Sequence, residues 1–262
     1  MEYKSVIILL SITVFGILET VFPFFAYKRR VKIFANNFIL GLINYVLVNL
    51  TIIWLLKWIW QQQSWLGYLG YLKISYLNNL NLSWLTLILS FLVLDLYMYA
   101  WHRLVHSWKF GWRFHLVHHS EMWMNISTAY RFHPLEVIIS NLPKFTLIYL
   151  LGISPLDLLF YELVFAISLV FHHSNLALPL KLDQFLSYFL VTPNYHRAHH
   201  SQTRKVANNN YASILTIWDL IFKSRYYPEL PEKIKLGLAK SNQELLLMDL
   251  IKIPFWHQKI NS

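Results

Sequence analysis

The chain has 262 residues, of which 56% are hydrophobic, 17% aromatic and 14% charged, whereas ordinary soluble domains carry about 25% charged residues; with its positive mean hydropathy this is the composition of a membrane protein. Cysteine is absent, which excludes disulfides, thiolate metal sites and a cysteine nucleophile and leaves histidine as the abundant strong metal ligand. The net charge of +10 forms no continuous basic face, because Lys and Arg lie beside apolar runs, so the charge points to a membrane surface and not to nucleic acid.

Segments long enough to cross a bilayer, about 20 residues as helix, follow one another along the chain. The first runs roughly from Ser5 to Tyr27 and ends at "KRRVK"; it lacks a small-residue cleavage site and reads as a retained span, not a signal peptide. The second runs roughly from Phe34 to Trp60, and "QQQSWLGYLGYLK" after it has the Trp, Tyr and Gly content of an interfacial loop. The third covers about Leu82 to Val105 and leads into a polar stretch rich in Trp and His. Two shorter apolar stretches, Val137 to Leu151 and Pro155 to Phe171, are split at "GISP" and read as tilted spans or a re-entrant hairpin. Leu180 to Val191 is amphipathic and expected on the surface, and the residues after Pro193 read as a soluble, polar-faced tail.

The expected fold is an all-α integral membrane protein with about four to five transmembrane or re-entrant helices and a cytoplasmic, histidine-rich metal-binding cap. The orientation follows from the positive-inside rule. "KRRVK" marks the cytoplasmic side and leaves the N-terminus and the Gln61 to Tyr76 loop outside. The third span then returns to the cytoplasm at His102 to Arg113, and either form of the later hairpin brings His172 and the tail to that same face.

Eleven of the twelve histidines lie between His102 and His200. In "DLYMYAWHRLVH", His102 and His106 are four apart and share a helix face with Asp95 and Tyr99. His115, His118 and His119 in "HLVHHS", and His196, His199 and His200 in "HRAHHS", repeat one HxxHH spacing, which is expected to point three imidazoles at a common volume within one helical turn. A single such histidine reads as a satisfied or solvated side chain. The set does not, because several polar rings buried at a membrane face without partners would each cost kilocalories, and metal ligation supplies the partner. His133 in "YRFHPLE" precedes a proline and is a ligand or a loop residue. His172 and His173 in "FHHSN" diverge by about 100° on a helix, so one is the expected ligand and the other a hydrogen-bonding neighbour. His257, in "PFWHQ", reads as a surface residue.

The ordered series "HRLVH", "HLVHHS", "RFHPLE", "HHSN", "PNYHRAHHS" and "NNNYASILTIWDLIF" resembles the fatty acid hydroxylase superfamily, which includes sterol desaturases, lipid hydroxylases and the alkylglycerol monooxygenase type, over about Leu89 to Arg225. The resemblance implies two non-haem irons that activate O2 against an unactivated C–H bond of a lipid. It makes metal ligands of His102, His106, His115, His118, His119, His133, His173, His196, His199 and His200, with His173 preferred over His172 because it stands two before Asn175. It divides the chain into N-terminal transmembrane helices and interfacial loop (1–81), a di-iron domain (82–225) and a C-terminal tail (226–262). Two departures from the family pattern fall in a turn: Ala212 replaces a usual Gly after "NY", and Lys223–Ser224 replaces a usual Gly-Thr.

Imidazole alone suits Fe, Zn, Cu and Ni. Zinc enzymes usually need three protein ligands and a water, and the general-base Glu of an HExxH motif is absent, so ten clustered histidines favour a redox pair. With no GxGxxG, flavin or haem-binding motif, electrons are expected from a separate reductase or carrier, and the lipid substrate from the bilayer. No catalytic residue beyond the ligands is expected. The competing reading is a histidine-rich membrane protein that binds or transports metal, which should place its ionisable residues at mid-membrane instead of at one edge; a scaffold without chemistry is disfavoured because no motif histidine is missing. Asp95, Asn175 and Asp219 stand as acceptors for ligand imidazoles or as packing residues. Glu121 and Glu136 either orient histidines or pair with Arg113 and Arg131, and Trp112 and Trp218 pack.

Overall fold

The computed structural model describes residues 2–26, 31–66, 83–238 and 244–255. His257, Lys28 to Arg30 of "KRRVK" and the loop expected beyond residue 66 lie outside the described residues. The helices in chain order are α1 (Glu2–Val21), α2 (Val31–Leu66), α3 (Ser83–Ser107), α4 (Lys109–His119), α5 (Pro134–Leu151) and α6 (Pro155–His173), followed by the short α7 (Leu180–Leu186), α8 (Pro193–His199), α9 (Arg204–Ala207), α10 (Ile217–Ile221) and α11 (Leu247–Lys252), with a 3-10 turn at Ile126–Tyr130. The described residues contain no strand, only isolated bridges such as Leu190 to Leu215. Helices α1, α2, α3, α5 and α6 are long and apolar enough to cross a membrane, which makes this a multi-pass membrane protein.

"GISP" resolves into a stop and a start. Gly152 caps α5 in the left-handed region at φ 64°, and Ser154 caps α6 by accepting from the Asp157 N–H ahead of Pro155. The pair is therefore a hairpin of two whole helices with 18 and 19 residues, each about 27–29 Å long and close to the thickness of a bilayer core, about 30 Å. Helix α2 continues to Leu66, six residues past its expected end; Gln, Trp and Leu sustain a helix, and residues 61–66 contain no Gly or Pro to interrupt it.

One end of the bundle is tied by a buried polar layer. Arg131 donates to Asn37 Oδ1 (2.9 Å), Ser120 Oγ (2.8 Å), the Val117 carbonyl (3.1 Å) and Glu121 Oε2 (3.3 Å). Glu19 Oε2 accepts from the Ile126 N–H (3.1 Å) and the Asn175 N–H (2.9 Å). A buried ion pair offsets its desolvation only when its remaining donors and acceptors are filled, and these contacts join α1, α2 and the segment after α6 to residues 117–131. At the opposite end Trp60 Nε1 donates to the Ile153 carbonyl at the α5–α6 turn (3.2 Å).

The segment after Pro193 corrects the expectation of a soluble tail. Residues 191–200 are all buried, Arg197 lies 4.0 Å over the Phe24 ring, and Leu245, Leu250 and Ile253 pack with Leu40, Leu116 and Val117. Its polar composition hides burial because the partners are internal.

The turn after α10 explains one departure from the family pattern. The Ser224 N–H reaches the Asp219 carbonyl (2.8 Å) and the Lys223 N–H reaches the Leu220 carbonyl (3.3 Å), the paired bonds of a Schellman cap, whose left-handed residue is usually glycine. Lys223 occupies that position at φ 56° with its side chain exposed. Lys223→Gly is expected to stabilise the protein by about 1 kcal/mol through relief of this strain, read as a higher melting temperature in detergent; an unchanged or lower value contradicts it.

Candidate metal centre

Nine histidines converge in two adjoining groups. His102 and His106 from α3, His115 and His119 from α4, and His199 from α8 form the first; His118 from α4, His173 from α6, and His196 and His200 at α8 form the second. Within each group one ring nitrogen per residue lies within 4.8 Å of all the others, and no ring is more than 8% exposed. The groups touch through His119 and His200, stacked at 4.5 Å, and through His199 and His196, stacked at 5.3 Å.

Each HxxHH element divides two and one instead of pointing three rings at one volume. His115 and His119 serve the first group and His118 the second; His196 and His200 serve the second and His199 the first. The cause is helical geometry: i and i+4 differ by about 40° around the axis, while adjacent residues differ by about 100°.

The nitrogens fit metal ions. In the second group His118 Nε2 lies 3.1 Å from His173 Nε2, which lies 3.0 Å from His196 Nε2, which lies 3.1 Å from His200 Nε2; His106 and His119 Nε2 in the first are 3.1 Å apart. Two nitrogens bound at right angles to one ion with bonds of about 2.1 Å would stand about 3.0 Å apart, and a tetrahedral pair about 3.4 Å. Lone-pair direction gives a second test. The Nδ1–H groups of His102, His199 and His173 donate to the carbonyls of Tyr211 (2.9 Å), Asn209 (2.7 Å) and Leu169 (2.7 Å), and His115 Nδ1 meets Glu136 Oε1 at 2.6 Å. A neutral ring that donates from Nδ1 presents its lone pair at Nε2. Nε2 of His102, His115 and His199 is buried with no partner, a cost of about 1–3 kcal/mol per group that a bound cation removes. Burial, reinforced by neighbouring imidazoles, holds His118, His119, His196, His199 and His200 well below the ordinary histidine value, in the neutral form that ligates.

Other residues singled out in the sequence have different partners. His133 joins neither group: it is the N-cap of α5, where Nδ1 accepts from the Leu135 N–H (3.1 Å) and Nε2 faces the Ile251 carbonyl (3.2 Å), a position set by the extended backbone that precedes proline. His172 is buried outside both groups, 4.2 Å from the His196 ring. Glu136 holds His115, whereas Glu121 pairs with Arg131. Asn175 bonds Phe25, and Asp95 accepts from the Leu215 N–H and Trp218 Nε1. Asp219 accepts from the N–H groups of Tyr211 (2.9 Å) and Ala212 (3.0 Å), so it shapes the loop whose carbonyls orient His102 and His199. Sequence reading missed those carbonyls, which leave no side-chain signature, and Phe132, which stacks on His118 at 4.2 Å.

The fatty acid hydroxylase family profile matches residues 87–224. The chain is 32% identical over 180 residues to alkylglycerol monooxygenase of Danio rerio, covering 65% of this chain and 37% of that protein. It is 33% identical over 179 residues to the Homo sapiens alkylglycerol monooxygenase, with coverages of 64% and 36%. To ornithine lipid hydroxylase OlsE of Rhizobium tropici it is 32% identical over 156 residues, with coverages of 58% and 45%. The chain thus spans less than half the length of these curated relatives. No solved structure matches it.

The lowered histidines have a consequence for stability. Their folded values lie below about 6.5, the unfolded value, so the unfolded chain binds more protons below that pH. Their contribution is fully present above about pH 6.5 and is lost as the pH falls through the window beneath it. The metal-free protein is expected to unfold at progressively lower denaturant concentration between pH 7.5 and 5, and a flat profile across that range contradicts the neutral, buried cluster.

Proposed function

The chain belongs to the fatty acid hydroxylase family, and on that premise we propose that it is a membrane-bound di-iron oxidoreductase that uses O2 to hydroxylate or desaturate a lipid: a sterol, a fatty acyl chain or an ether lipid. The observation that carries the reading is the pair of abutting groups of five and four buried imidazoles, in which Nε2 of His102, His115 and His199 has no protein partner. Relatives named alkylglycerol monooxygenase and ornithine lipid hydroxylase support a lipid substrate. In this reading the nine grouped histidines hold two irons, and His133 acts as a helix cap.

Two irons bound there would supply O2 activation and oxidation of an aliphatic C–H bond. The protein's own residues bind, orient and exclude water. Glu136 and the Tyr211, Asn209 and Leu169 carbonyls fix four of the rings. Phe132 and Trp112 cover the His118 and His106 rings at 4.2 and 4.9 Å. Hydroxylation consumes one O2, two electrons and two protons per lipid and releases one water; a separate reductase or carrier supplies the electrons.

Protein purified from iron-replete cells is expected to hold two irons per chain and, with a reductant, to place one atom of labelled dioxygen into a membrane lipid or to remove two hydrogens from it. His118→Ala and His199→Ala, one from each group, are expected to lose both iron and turnover, while His133→Asn, which keeps the cap, retains both. Full turnover in His118→Ala, or zinc that supports it, would overturn the reading.

We also propose that the histidine face is cytoplasmic, since the ends of α1 and α2 that flank "KRRVK" lie at the histidine end of the bundle, where the Phe24 N–H meets the Asn175 carbonyl at 2.7 Å. Lys205→Cys, on the exposed rim of that face, is expected to react with a charged maleimide only from the cytoplasmic side; reaction from the outer side alone refutes the orientation.

A further inference from the structure

Asp95 poses a problem the metal centre does not absorb: an acid with no exposed surface halfway along a membrane helix. Its Oδ2 accepts from the backbone N–H of Leu215 (3.1 Å) and from Trp218 Nε1 (2.8 Å). Those partners come from the segment after α8, which approaches α3 from the histidine face.

The register against α3 measures how deep that segment goes. Tyr211 lies level with His102, whose Nδ1 meets its carbonyl; Leu215 and Trp218 lie level with Asp95; Phe222 stacks on Tyr99 at 5.2 Å, and Ser224 Oγ lies 2.8 Å from the Tyr99 hydroxyl. The chain therefore descends along α3 from His102 to Asp95 and climbs back to Tyr99. His102 to Asp95 is seven residues, about 10 Å of helix. Counted from Trp84, about 20 residues of α3 fill a hydrocarbon core and end near Arg103, so the lowest point of the loop sits about 12 Å beneath that edge.

Residues 185–190 accompany it. The Leu190 to Leu215 bridge, the Val191 N–H to Ile214 carbonyl bond (3.0 Å) and the Thr216 N–H to Phe189 carbonyl bond (3.1 Å) join the two limbs. Their inner sides are buried by Ile214 and Val191, while their outer sides leave Phe185 at 61% exposure, Phe189 at 59% and Ile221 at 56%. Lys181 and Lys223 are exposed near the limb ends, where anionic headgroups would meet them.

We propose that residues 185–190 and 214–222 form a re-entrant wedge immersed in the bilayer beside α3, with lipid acyl chains as the partner of its exposed apolar side. Irregular backbone survives at membrane depth only where protein satisfies its polar groups, and Asp95 and the inter-limb bonds do that here. Ile88, two turns beyond Asp95 on the same face of α3, is likewise exposed, so one solvent covers both.

Because the chain has no cysteine, spin labels at Ile221→Cys and Phe185→Cys, with Glu232→Cys as an exposed control, can be read in phospholipid vesicles by their accessibility to molecular oxygen and to a water-soluble nickel chelate. The wedge labels are expected to relax strongly with oxygen and weakly with nickel, with an oxygen-to-nickel ratio several-fold above that of the control. Nickel accessibility equal to that at Glu232→Cys would show a water-facing loop, and low accessibility to both reagents would show a protein partner; either overturns the proposal. The measurement reads depth and not turnover, so it stands apart from the lipid-oxidation reading.

Discussion

Three backbone carbonyls and one carboxylate, at Tyr211, Asn209, Leu169 and Glu136, each hold the Nδ1 side of a buried imidazole and so decide where its other nitrogen points. These acceptors sit on separate pieces of chain: the loop after α9, the last turn but one of α6, and the first turn of α5. The bundle must therefore bring those pieces to one end before any ion can be held. The buried layer around Arg131 and Glu19 does this for α1, α2 and the segment beyond α6, and Asp219 does it for the loop that supplies two of the carbonyls.

Much of this was legible in the sequence, for physical reasons. Long apolar runs reveal membrane helices, and histidines at three- and four-residue spacing reveal a shared site, because both signals live in side-chain type. The division of each HxxHH element between two groups was accessible too, since the 100° divergence that separates His172 from His173 also separates His118 from His119. What stayed hidden depended on partners. The stretch from Pro193 to His200 is polar in composition and wholly buried, because its donors and acceptors are met inside the protein. His133 reads like a motif histidine but spends its nitrogens on backbone at a helix start. Lys223 looked like a simple departure until the backbone showed that it occupies a left-handed cap.

The interleaving of the two histidine groups has one further consequence. Because α4 and α8 each feed both groups, whatever steadies either helix steadies ligands of both sites. If the groups hold metal as proposed, occupancy of one would lower the ordering cost of the other, and thermodynamic linkage would make that help mutual. On the proposed metal-binding role, uptake by such an arrangement would be cooperative, with the half-filled protein a sparse species, and genetic lesions in either motif would act as lesions of a single unit.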